Sequence, residues 1–143
     1  TSPLPRREKD VDWAYVVDSS DSVDWSSWRK YILDNALRYF KVSDDKYKVG
    51  LITYSDDANI AVPFNVREPW DIALNRAPKQ GGSGRRVDLA FQRARDLFTS
   101  QFGARKRARK VMHKQAWLIE YELKGHQLLY VNKEKETEIN EIY

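Results

Sequence analysis

The sequence predicts an α/β domain of three layers, with a mostly parallel central sheet flanked by helices and one antiparallel edge strand. Three observations carry that expectation. Two short apolar runs, Trp13-Ala14-Tyr15-Val16-Val17 and residues 47–55, read as strands buried on both faces. A helical stretch lies between them, and strand–helix–strand implies a parallel pair joined by a right-handed crossover. The first run ends in Asp18-Ser19-Ser20-Asp21-Ser22, five small oxygen-bearing residues at the carboxyl end of a strand, where open α/β sheets bind their ligands.

The elements follow in order. Residues 1–10 hold two Pro and a cluster of charges and read as a disordered lead-in. The first strand runs from about 12 to 17. Asp24 or Ser26 can then cap a helix over residues 25–40, whose Trp28, Ile32, Ala36, Tyr39 and Phe40 form one apolar stripe. Tyr47 to Ser55 is the second strand. Ile60, Val62 and Phe64 alternate, and Pro63 among them removes a ladder donor, so this strand belongs at an edge. Residues 68–77 form a short helix that Pro78 ends. Gly81-Gly82-Ser83-Gly84 is a flexible loop. A helix then begins at Arg86 or Val87, with Val87, Ala90, Phe91, Ala94, Leu97 and Phe98 on one face and Gly103 as its stop. Residues 116–123 and 126–131 flank Lys124-Gly125 and read as two strands joined by a tight turn.

Composition narrows the function classes. The chain has 143 residues, 41% of them hydrophobic and 13% aromatic, which suits one domain with a sizeable core. No apolar run reaches the roughly 18 residues of a membrane span. There is no cysteine, so neither a disulfide framework nor a thiolate site is available. The first residue is Thr1 and no signal-like segment follows it, as expected of a processed or excerpted piece of a longer protein. His113 and His126 are isolated and Ser83 lacks the setting of a nucleophile elbow, so no enzyme is expected.

Asp18, Ser20 and Ser22 offer only hard oxygens, which suit Mg²⁺, Mn²⁺ or Ca²⁺ better than zinc or copper. The residues from Asp12 to Asp18, the strand Lys48 to Ser55, and the Gly81-Gly82-Ser83-Gly84 loop before a helix occur in the order found in one family. Together with the Asp18-x-Ser20-x-Ser22 pattern, they resemble the von Willebrand factor type A domain, the I domain of integrins. The resemblance covers about residues 11–111 and is strongest to the A domains of collagen-associated and matrix proteins. Residues 112–143 depart from it, leaving a divergent or truncated C-terminal third with a hairpin and an acidic tail. The buried strand that follows the third helix in the family, and the loop beyond it, have no visible counterpart.

The resemblance implies a Rossmann-like sheet carrying a metal-ion-dependent adhesion site. Its first loop is matched by Asp18, Ser20 and Ser22. Its second supplies a Thr, at whose position this chain has Arg85; Ser83 is the other hydroxyl available there. Its third supplies an Asp that has no counterpart. Low-affinity Mg²⁺ or Mn²⁺ is the cofactor so implied, and Arg85 could instead pair with Asp18 in the ion's place. The expected function is non-catalytic binding of an extracellular protein, collagen-like or another matrix protein, by a secreted adhesion module, with Trp25 and Arg85 as partner contacts. The rival is a metal-free interaction module that touches polyanions through Arg105, Lys106, Arg107, Arg109 and Lys110, five cations in six residues of a chain with net charge +4. No sequence-specific nucleic-acid motif is present. A truncated sheet would expose an apolar edge and favour oligomers.

Overall fold

The computed structural model describes residues 10–114 in full and the backbone of residues 117–124 and 127–135. The proposed lead-in over positions 1–9, Gly125 of the expected tight turn, His126 and the acidic tail lie outside the described residues.

The first apolar run becomes β1 (Val11–Asp18), buried from Val11 through Val17. Its side chains alternate between two cores. Val11, Trp13, Tyr15 and Val17 pack on one face, and Ala14 and Val16 on the other. Helix α1 (Trp25–Tyr39) starts where the Asp24 carboxylate accepts the Ser27 N–H and hydroxyl, and it buries Ile32 and Ala36. Strand β2 (Tyr47–Tyr54) pairs parallel with β1 along its whole length. Strand β3 (Ala58–Val62) returns antiparallel at the edge, and Pro63 follows it directly. Helix α2 (Trp70–Arg76) joins α1 on the first face through Trp70, Ala73 and Leu74. Helix α3 (Val87–Leu97) covers the second face with Ala90, Ala94 and Leu97, continued by Phe98. A single 3₁₀ turn, Ser100–Phe102, then ends at Gly103 with φ 88°.

Small residues set the thickness of the second core. Ala14 and Gly50 lie side by side in the sheet. A Cβ at Gly50 would stand 2.9 Å from the Val62 carbonyl oxygen and 3.1 Å from the Phe64 ring, which meets Phe98 at 5.4 Å between centroids.

The structure corrects the reading of the basic run. A buried strand does follow the third helix: β4 (Arg109–Lys114) pairs parallel with β1, with residues 110–113 buried. Position 111, the expected end of the family resemblance, falls inside this strand. The two expected tail strands are present as β5 (Trp117–Lys124) and β6 (Gln127–Lys135), antiparallel to each other, with β5 antiparallel to β4. The sheet order is β3-β2-β1-β4-β5-β6.

This order positions the site. The chain leaves β1 through α1 on one face and reaches β2 on one side. It later passes through α3 on the opposite face and arrives at β4 on the other side of β1. The strand order therefore reverses at β1, and a crevice opens at the carboxyl end of that strand, beside Asp18.

Candidate functional site

Two loops meet at that crevice and are laced together by their own backbones. The Ser19 N–H donates to the Tyr54 carbonyl (2.9 Å), which carries the β1–β2 ladder one residue beyond the strand. The Gly81 N–H donates to Ser19 O (2.9 Å) and the Asp21 N–H to Gly82 O (2.8 Å). The Asp21 carboxylate accepts the Gly82 N–H (3.1 Å), and the Ser19 hydroxyl accepts the Gln80 N–H (3.2 Å). The glycine loop is tied on its other side as well, because Asp56 accepts the Gly84 N–H at 2.6 Å. Gly82 has φ 106°, and a Cβ there would lie 2.5 Å from an Asp56 carboxylate oxygen, so glycine is required for both conformation and space.

Asp18, Ser20 and Ser22 converge as the spacing predicts. One Asp18 oxygen accepts the Ser20 N–H (2.8 Å), closing an Asx turn that aims the loop upward. The Ser20 and Ser22 hydroxyls lie 3.2 Å apart. Arg85 reaches across from the second loop. Its Nη2 donates to the Ser22 hydroxyl at 2.6 Å and its Nε stands 3.4 Å from the other Asp18 oxygen. The Asp18 side chain is 16% exposed and the Arg85 side chain 65%. Tyr54, beside Asp18 in the sheet, has its phenol pushed above its usual range, first by burial and then by the Asp18 charge, with Arg85 opposing.

In this arrangement the donor set does not fit a divalent ion. Both Asp18 oxygens and the Ser22 hydroxyl already have partners. Ser83 is exposed and makes no hydrogen bond to Asp18, Ser20 or Ser22 among the described residues. Residues 111–119 contain no carboxylate for the third loop. The Arg85 guanidinium, 3.4 Å from Asp18, offsets the attraction of the one carboxylate in the set, so a divalent ion meets almost no net charge there.

Other expected contacts sit elsewhere. Trp25 is not a surface contact: it is 7% exposed, and its Nε1 donates to Ala77 O at 2.8 Å, anchoring α1 to the end of α2. The basic run divides. Lys106 and Arg107 are exposed, whereas Lys110 is 2% exposed and Arg105 is turned inward onto Asp12. Arg105 and Lys110 are therefore not open to a polyanion, because Asp12, fully buried on β1, holds them at the amino end of the sheet. Sequence reading passed over Asp21, Asp56 and Gln80, which fix the glycine loop. Their only signal was polarity in loops, after β1 and β2 for Asp21 and Asp56 and between α2 and α3 for Gln80.

A three-layer α/β sheet that presents an Asp-x-Ser-x-Ser loop against a glycine loop at its switch point is the arrangement that the resemblance to the von Willebrand factor type A domain implies. The profile of the von Willebrand factor type A domain matches residues 12–113, and the chain belongs to that family. Among solved structures it is similar to proximal thread matrix protein 1 from the mussel byssus with a zinc-occupied adhesion motif. The TM-score is 0.65 with 12% identity, over 75% of this chain and 31% of that one. Another structure of the same mussel protein matches at TM-score 0.57 and 16% identity, over 75% and 30%. This chain thus spans about a third of that protein's length, and the likeness is one of fold. Among the described residues no helix is long and apolar enough to cross a membrane.

Proposed function

We propose that the chain is a non-catalytic protein-binding module of the adhesion or matrix type, working outside the cell and engaging a protein partner through the rim formed by Asp18, Ser20, Ser22 and Arg85. One observation carries this reading: the acid, the two hydroxyls and the glycine loop come together at the carboxyl end of β1, where the strand order reverses. Family membership and the matrix-protein fold neighbour support the partner class. Mg²⁺ or Mn²⁺ could take part at this rim only after Arg85 moves away. The polyanion alternative is weakened by the engagement of Arg105 and Lys110 with Asp12.

Solid-phase binding to immobilised collagen and other matrix proteins tests the proposal, with Asp18→Ala and the pair Lys106→Ala/Arg107→Ala compared against wild type. The rim variant is expected to lose about tenfold or more in affinity, and the basic pair to leave it unchanged. Binding that survives Asp18→Ala but disappears in the basic pair would transfer the function to the polyanion face.

A further inference from the structure

We propose that Arg85 stands where the family holds its ion, and that the rim binds a partner's carboxylate directly, without metal. This rests on the adhesion reading above and names the chemistry by which that rim recognises its partner.

The guanidinium is held rather than loose. Nε faces Asp18 at 3.4 Å and Nη2 donates to Ser22 at 2.6 Å. The loop that carries it is fixed by Asp21 on one side and Asp56 on the other. Asp18 is itself oriented by the Ser20 N–H at 2.8 Å. Holding the group in this way removes part of the ordering cost that a free arginine pays on binding.

The guanidinium also has donors to spare. Five N–H groups leave it, two are accounted for by Asp18 and Ser22, and Nη1 has no partner among the described residues. With 65% of the side chain exposed, those donors face solvent in the fork geometry that matches a carboxylate. Asp18 decides between anions. It cancels the charge of Arg85, so the pair offers directed donors without net positive charge. That favours a planar monoanion such as a Glu or Asp side chain, which fits the fork, over a sulfate or phosphate, whose second charge gains nothing at a pair without net charge and is costlier to desolvate. Arg86, by contrast, is occupied: its Nε and Nη2 both donate to Asp88, at 3.0 and 2.8 Å.

The test is heteronuclear NMR on the isotope-labelled chain. It follows the Arg85 and Arg86 Nε–H signals and the Ser20 and Ser22 amides during titration with acetate, sulfate and Mn²⁺ at constant ionic strength. Acetate should shift Arg85 and Ser22 in a saturable manner and leave Arg86 in place, and sulfate should act more weakly. Arg85→Thr should weaken acetate binding about tenfold, as judged by the Ser22 amide. Millimolar Mn²⁺ should leave the Ser20 and Ser22 amides sharp in wild type and broaden them in Arg85→Thr, where the cation is gone and a hydroxyl has returned. Unchanged amides in β1 and β2 would show that the variant is folded. Equal Mn²⁺ broadening in wild type and variant overturns the proposal, as does an acetate response at Arg86 equal to that at Arg85. Either result leaves the adhesion reading intact, whereas matrix binding indifferent to Asp18→Ala would defeat that reading alone.

Discussion

The two ends of β1 each hold an aspartate facing an arginine, and they differ in what is left over. At the amino end Asp12 is fully buried and accepts the Arg105 N–H at 2.8 Å and its Nε at 3.0 Å, with Lys110 Nζ 3.7 Å away. Arg105 spends its remaining donors on the carbonyls of Asp45, Val11 and Lys46. At the carboxyl end the Asp18–Arg85 pair is longer, largely exposed on the arginine side, and has donors to spare. A cation whose hydrogen bonds are all made internally closes a fold. One with open valences on a fixed loop is available to a partner. The same residue pair is closed off at one end of the strand and open to solvent at the other, and in the proposed reading that difference separates a structural role from a recognition role.

The largest expected effect breaks that comparison at its buried end. Asp12→Ala leaves the buried Lys110 without its carboxylate and Arg105 with only the more exposed Asp10, 3.4 Å from its Nη1, and should destabilise the fold by about 3 kcal/mol. Asp18→Ala removes a partly solvated pair and an Asx turn, and should cost about 1 kcal/mol or less. Urea unfolding of both variants measures the gap. Equal midpoints would show that the Asp12–Arg105–Lys110 cluster does not clamp the amino end of the sheet.

Next comes a change confined to the rim. Gly82→Ala places a side chain at φ 106° and against Asp56, so it should cost about 2 kcal/mol and shift the glycine loop. The Ser22 and Gly84 amides should move in its NMR spectrum, while those of Val111 and Met112 stay in place. Movement spread over both ends of β1 would mean that rim and clamp are coupled rather than separate.

The same contrast explains what could be read from the sequence. β1 and β2 were legible as continuous apolar runs, α1 and α3 from apolar residues at the helical period, and the edge position of β3 from its alternation together with Pro63. Asp18, Ser20 and Ser22 were legible from local spacing at one strand–loop junction, whereas the approach of Arg85, from the loop between α2 and α3 and 63 positions from Ser22, was legible only through the family resemblance. β4 was not, since its residues Arg109-Lys110-Val111-Met112-His113-Lys114 look like the continuation of a basic surface run. Lys110 is buried because Asp12 and the Arg105 and Ala108 carbonyls lie around its Nζ, and the Arg105–Asp12 contact of that cluster joins residues 93 positions apart. Trp25 failed for a related reason: proximity to the loop in sequence suggested exposure, but Ala77 O, brought in by α2, captures its Nε1.

The smallest expected effect sharpens the buried end by titration. Burial holds the Lys110 ammonium below the usual lysine range, and the charge of Asp12 only partly restores it. The unfolded chain therefore keeps the Lys110 proton to a higher pH than the native one does. Between those two values the unfolded state binds more protons, and native stability contributed by this group rises with pH. Below the native value the full cost of burying the ammonium is present. Lys110→Met removes the titration, although it also deprives the Arg105 and Ala108 carbonyls of the Nζ they share at 2.6 and 3.2 Å, which sets a constant offset. Urea midpoints of wild type and Lys110→Met, compared from neutral pH up to about 10, should show the wild type gaining on the variant as pH rises. A difference independent of pH would mean that Asp12 already compensates the buried charge completely.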